Sequence, residues 1–159
     1  RSSLGVLPAT IDTLTQKLGV SQGTASFVSS FGTTAGMQGC AGVFPALLIV
    51  YVANTSGTPI DISLIIMSVI VITIGSIGIA GIPGTSTMAA SVSLSGVGLG
   101  ASFAYITPIL AIDPIIDMMR TMLNVSGSLT NAIMVDRQLD LMDMKRYHDK
   151  ELTDPLQDI

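Results

Sequence analysis

The sequence predicts an all-α protein built to sit in a lipid bilayer, and three features of the chain predict it. The first is composition. Of the 159 residues 48% are hydrophobic and 11% charged, with a mean hydropathy of +0.67, whereas a soluble domain carries about a quarter of its residues as charges. The second is where the charges lie: no Asp, Glu, Lys or Arg occurs in 18–60 or 62–112, and eleven of the eighteen fall at or after Asp136. A soluble fold could not cover its surface so sparsely. The third is a polar stripe. Asp113, Asp117, Arg120, Thr121, Asn124 and Ser128 recur at spacings of three and four, one face of an α-helix. Around them stand Ile109, Ile112, Ile115, Ile116, Met118, Met119, Met122 and Leu123.

Each ionised group on such a helix costs about 2.5–3.5 kcal/mol near the bilayer midplane. Two readings accommodate them. An Asp117–Arg120 ion pair would tolerate burial as a structural feature, or the stripe faces a protected polar site. Five or six polar positions held in register exceed what packing needs, so the stripe is read as a binding site.

Other function classes lack their residues. Cys40 is the single cysteine and His148 the single histidine, so neither an internal disulfide nor a metal-ligand spacing is formed. With no nucleophile–base pair in the apolar part, an enzyme is not expected. Nothing is basic or aromatic enough for nucleic acid, and no organic cofactor is expected. The chain opens on Arg1 in mid-motif, without initiator Met or signal peptide, and is expected to be the C-terminal portion of a longer protein.

In chain order, Ser2 and Ser3 precede a short helix over 8–18, with Pro8 in its first turn and Gly19 at its end. Free N–H groups at such a start suit anion capture, or the serines merely cap it. Residues 22–35 read as an apolar helix that Gly32-Thr-Thr-Ala-Gly-Met-Gln-Gly breaks, and a second helix over 40–53 has Pro45 inside it. A break at membrane depth needs its freed carbonyls satisfied by protein, water or a cation; the other reading is a glycine-rich packing surface.

After a turn-rich loop at 54–59, residues 62–79 make a helix of about 27 Å, barely a span. It runs into Ala80-Gly-Ile-Pro-Gly-Thr-Ser and a Ser-, Gly- and Ala-rich segment reaching Gly100. A re-entrant hairpin and two short crossings both return the chain to the side it left. The last helix, 102–135, is about 50 Å long and is expected to bend at Pro108 and Pro114. The tail, 136–159, is expected to continue as a solvated helix before Pro155 and is assigned no chemistry. Lys17, Arg137, Lys145, Arg146 and Lys150 put both ends of the chain in the cytoplasm, while the connections 54–61 and 95–102 lack Lys and Arg and face outward.

These pieces, in this order, resemble the sodium:dicarboxylate symporters, the glutamate-transporter homologues. The resemblance is carried by Arg1-Ser-Ser-Leu-Gly-Val-Leu-Pro-Ala-Thr, by the Gly32–Gly39 run, by Gly78-Ile-Ala-Gly-Ile-Pro-Gly, and by Asp113-Pro-Ile-Ile-Asp-Met-Met-Arg-Thr-Met-Leu-Asn-Val-Ser-Gly. Gln38-Gly-Cys-Ala-Gly and the preceding Gly-Met are closer to the bacterial L-cystine uptake branch. The resemblance implies the C-terminal portion of a transport domain that moves like an elevator. Residues 1–19 would be the second limb of a first re-entrant hairpin and 20–54 a broken transmembrane helix. Residues 60–100 would be the second hairpin and gate, and 102–135 the last transmembrane helix. It also implies a multi-pass protein of the cell (inner) membrane, a homotrimer assembled through a scaffold absent from this chain.

By the same resemblance, Ser2 and Ser3 would hold the α-carboxylate of an amino-acid substrate, Asp117 its ammonium and Arg120 its distal carboxylate. Thr121 and Asn124 would add polar contacts, Cys40 would lie near the substrate side chain, and Ile82, Gly84 and Ser86 would form the gating tip. The implied cation set is Gly32, Thr34, Ser76, Ile77, Ile79, Asn124 and Asp113. Two carboxylates that bind sodium in the family are replaced here by Gln38 and Ser128. A site of backbone carbonyls around Thr34 and 76–79 needs no particular side chain, and Asp113 or Asp117 could carry a proton instead. The coupling ion is therefore open between Na+ and H+. The function this implies is cation-coupled amino-acid symport with L-cystine as substrate. Its rivals are an aspartate, glutamate or dicarboxylate symporter and an anion channel.

Overall fold

The structure, a computed structural model, describes residues 2–79 and 81–149, and every regular element in them is helical. Arg1, Ala80 and 150–159, with the last part of the expected tail helix before Pro155, lie outside the described residues.

Helix α1 (Leu7–Asp12) has Pro8 in its first turn, as expected, and winds on through a wider π-helical turn, Thr13–Lys17. It stops at Gly19, whose φ of +69° is the left-handed conformation glycine adopts freely. Helix α2 (Gln22–Ala35) opens at Ser21, but Ser21 does not cap it. The cap comes from the far end of the chain. Asp136, 0% exposed, accepts the Ser21 N–H at 2.7 Å and the Ser21 hydroxyl at 2.5 Å. A carboxylate there satisfies free N–H groups and complements the helix dipole.

The break after α2 is real, and protein atoms satisfy it. The Thr33 carbonyl accepts the Gly81 N–H at 2.8 Å instead of continuing the helix. A π-helical segment, Gln38–Val43, follows and leads into α3 (Phe44–Ser56). Pro45 sits where the π-helical segment passes into the first turn of α3, inside a continuous helical run as expected.

Asp61 caps α4 (Ile62–Ile77) by accepting the Leu64 N–H at 2.8 Å. At 16 residues α4 is shorter than expected, and none of its residues is buried. Helix α5 (Thr85–Gly96) runs back along it: Gly75 faces Val92 and Gly96 faces Val71, the pairing of an antiparallel hairpin. At the tip of that hairpin the Gly81 carbonyl accepts the Ser2 hydroxyl at 2.9 Å and the Leu4 N–H at 3.2 Å. Gly81 has to be glycine, since a Cβ would stand 2.8 Å from the Thr33 oxygen and 3.2 Å from Ser3 Cβ. The inward face of α5 packs on α3 through Ala90, Leu94, Leu48, Ile49 and Val52, the main apolar core.

A 3-10 segment, Gly100–Ile106, leads into α6 (Thr107–Gln138), 32 residues or about 48 Å. Pro108 lies in its first turn, so it starts the helix rather than bending it; Pro114 lies within a helix that runs on past it. Helix α6 is inverted relative to a soluble helix. Its buried residues are Asp113, Asp117, Arg120, Thr121, Asn124, Ser128, Ala132 and Asp136, while Ile112, Ile115, Met118, Met119 and Met122 are exposed. The polar stripe is as expected, but it runs two turns further, to Asp136.

The tail therefore corrects its expectation. It begins with a buried helix cap, and the chain then turns back instead of extending. Asp143 caps a short helix α7 (Met144–Tyr147) and donates its N–H to the Gly19 carbonyl at 2.8 Å. Arg146 Nη1 reaches the Thr15 carbonyl at 3.1 Å. Taken through its break, Gln22–Ser56 is long and apolar enough to cross a membrane, and so is Gly100–Gln138.

Two substitutions check this framework by thermal unfolding of the purified full-length protein in detergent. Asp136→Ala removes the buried cap of α2 and is expected to cost about 2 kcal/mol. Gly81→Ala forces a methyl group against Thr33 and is expected to cost about 1–3 kcal/mol.

Candidate functional site

Helix α6 supplies two carboxyl groups and a guanidinium from one face. Asp113, Asp117 and Arg120 are four and three residues apart, so they line up along the helix. Arg120 Nη2 donates to Asp113 Oδ1 at 2.5 Å and to Asp117 Oδ1 at 3.2 Å. The three are 6%, 4% and 7% exposed, so the ions meet away from bulk water. Burying such a group is not stabilising by itself, because desolvation offsets the attraction.

Three other elements complete the cluster. From the first turn of α5, Ser86 donates its hydroxyl to Asp113 Oδ2 at 2.9 Å. From the π-helical segment, Cys40 donates to Asp117 Oδ1 at a long 3.8 Å and accepts from Asn124 Nδ2 at 3.2 Å. The Gly39 N–H donates to Asn124 Oδ1 at 2.8 Å, and a Cβ on Gly39 would stand 2.9 Å from the Arg120 carbonyl oxygen. From the start of α3, Phe44 lays its ring against the guanidinium, 4.0 Å from centroid to Arg120 Cζ. Yet Arg120 Nε and Nη1, both buried, have no hydrogen-bond partner among the described residues. A guanidinium with unused donors retains the capacity to take a carboxylate or another acceptor.

Of the residues expected to bind a solute, Cys40, Ser86, Asp117, Arg120 and Asn124 come together here. Asp113, expected among the cation ligands, also sits here, because it is the nearer partner of Arg120. The Asp117–Arg120 ion pair exists too, within a larger polar cluster. Ser2 gives its hydroxyl to the Gly81 carbonyl, and Ser3 lines a small cavity with Thr10, Ser29, Thr33 and Ser128. Thr121 is buried and lines a groove of about 390 Å³ with Val6 and Thr10 of the α1 region. Ile82 and Gly84 are exposed at the hairpin tip, Gly84 with a φ of +89°.

The remaining cation candidates are engaged separately. Thr34 is exposed and donates to the Phe31 carbonyl, Ser76 donates to the Thr73 carbonyl, and Ile77 is exposed while Ile79 is buried beside Met37 and Cys40. Gly32 packs directly on Ser128. Gln38 Nε2 donates to the Leu123 carbonyl at 2.8 Å and Ser128 Oγ to the Asn124 carbonyl at 3.2 Å. Both are neutral donors bonded to backbone carbonyls of α6. Among the described residues no three His, Cys, Asp or Glu side chains gather as a metal site.

Sequence reasoning missed Phe44, Gly39 and Asp136. Phe44 follows Cys40 by four residues, but the chain between them is π-helical, so that spacing did not place it on the same face. Asp136 follows Ser128 by eight residues and continues the same face. Gly39 had no signal, since its part is a backbone contact.

The family model of the sodium:dicarboxylate symporter family matches residues 1–138. The L-cystine uptake protein of Bacillus thuringiensis is 40% identical over 149 residues, covering 93% of this chain and 32% of the relative. The proteins of the same name from Bacillus licheniformis and Shouchella clausii are 39% and 41% identical, covering 94% of this chain and 32% of each relative. The chain therefore spans about a third of the length of the curated relatives it matches. A match that takes in every element of the charged cluster makes this chain a member of the sodium:dicarboxylate symporter family, and with that a membrane protein of a transporter family rather than an enzyme.

Proposed function

We propose that this chain forms the solute site of a secondary active symporter that imports L-cystine, driven by a gradient of Na+ or H+. The observation that carries the reading is the Arg120 guanidinium: Nη2 is shared by two carboxylates, while Nε and Nη1 are buried and idle. The relatives named for L-cystine uptake support the choice of solute. Cystine carries an ammonium and a carboxylate at each end of a disulfide. One carboxylate takes the idle donors, and an ammonium is drawn to the Asp113–Asp117 side. Solute charges then stand in for the internal pairing, so the site loses least when it is filled.

The α4–α5 hairpin is read as a re-entrant gate. Its first limb, about 24 Å long, falls short of a hydrocarbon core of about 30 Å, and its tip is held by hydrogen bonds at Thr33, Ser2 and Leu4. Each contributes about 1 kcal/mol net, a hold that solute exchange can overcome. The chain would lie in the cell inner membrane with both ends cytoplasmic. It would move as an elevator against a trimerising scaffold supplied by the rest of a longer protein. The neutral donors Gln38 and Ser128 favour fewer bound sodium ions than the acids other family members carry there.

The test is uptake of labelled L-cystine by the full-length protein in proteoliposomes, with Na+ and pH gradients imposed separately. Saturable uptake that requires one gradient is expected; equal uptake with neither overturns symport. Displacement by aspartate rather than by unlabelled cystine would move the substrate to the acidic amino acids. Arg120→Ala and Arg120→Lys are both expected to cut cystine uptake about 100-fold, because lysine lacks the planar fork.

A further inference from the structure

We propose that Phe44 positions Arg120 for the far end of the solute, acting as a specificity-determining residue and not only as part of the apolar core. The inference rests on the symporter reading above. Phe44 is the first residue of α3 and is 5% exposed. It belongs to the apolar cluster of Leu48, Ile49 and Leu94, while its ring lies 4.0 Å from Arg120 Cζ. It is therefore the point where the core meets the charged cluster.

Arg120 has a long side chain, and its two ion pairs both end on one atom, Nη2. A planar cation tied at one corner can still pivot about that corner. A ring against the guanidinium restricts the pivot and holds Nε and Nη1 in one direction. An aromatic ring does this without taking a donor, because its negative quadrupole attracts the cation as a whole. A carboxylate or amide in its place would occupy the donors the solute needs. An aliphatic side chain would leave the plane loose.

The experiment uses the full-length protein with Phe44→Leu, Phe44→Tyr, and 3,4,5-trifluorophenylalanine at position 44, which keeps the ring's shape and removes most of its quadrupole. Cystine KM and kcat are measured in proteoliposomes. Leu and the trifluoro ring are expected to raise KM about tenfold with kcat within about twofold, and Tyr to stay near the parent KM. A trifluoro ring with the parent KM overturns the proposal, since a packing role alone depends on shape. A thermal-unfolding cycle in detergent gives a second readout that needs no transport. The trifluoro ring should lower the melting temperature of the parent but not of Arg120→Met, and equal shifts in both overturn the proposal. A parent protein that takes up no cystine strikes the symporter reading. Parent uptake with a KM indifferent to the ring strikes only the role of Phe44.

Discussion

Two carboxylates and one guanidinium share a dry space on a helix whose outer face is Ile and Met. That constraint organises the rest of the structure. Apolar packing cannot hold such a group, because every donor and acceptor left without a partner costs free energy in a low dielectric. The elements around α6 therefore bring partners to it, a hydroxyl from Ser86, a thiol from Cys40 and a ring face from Phe44, and α6 itself adds the Asn124 amide. The three from outside α6 come from the start of an element or from irregular helix, where the chain can be aimed. The cluster is not finished by these contacts, since two donors of Arg120 remain idle. A buried ionic group of this kind adds little stability, and it is on this that the proposed function rests.

The same requirement explains the irregular backbone. A helix interrupted at membrane depth must find partners for the groups it frees. Here the break after α2 and the tip between α4 and α5 satisfy one another, through Gly81 N–H and the Thr33 carbonyl, while the Gly81 carbonyl takes Ser2 and Leu4. Three stretches far apart in the chain thus meet at one glycine that admits no side chain. At the other end of the molecule Asp136 caps α2 across 115 residues, and Asp143 and Arg146 close on the end of α1. Both ends are thus held by a few hydrogen bonds between segments far apart in the chain.

The donors beside the stripe bear on coupling under the proposed function. Gln38 and Ser128 donate neutral hydrogen bonds to the Leu123 and Asn124 carbonyls, at positions where the family resemblance would put acids. The protein thereby keeps the backbone of that region satisfied at lower charge. On this view selectivity and coupling share the residues Asp113, Asp117 and Asn124 around one guanidinium.

By itself the sequence determined the solvent, the helical class and the face of α6 that turns inward. Each depends on local pattern: the empty charge map of 18–60 and 62–112, the spacing of Asp113, Asp117, Arg120 and Asn124, and the Gly and Pro residues that stop helices. The motifs also carried the family, which the match over 1–138 bears out. Tertiary structure alone decided which polar atoms meet. Asp113 or Asp117 could each have been the main partner of Arg120, and the packing of α5 against α3 puts Ser86 beside Asp113. Asp136 looked like the start of a solvated tail because its charge is local information, whereas its partner, the open end of α2, is 115 residues away. Phe44 looked like core, and it is core on one side. Its contact with the charge arises where a π-helical turn hands over to an α-helix, a geometry that residue spacing does not specify.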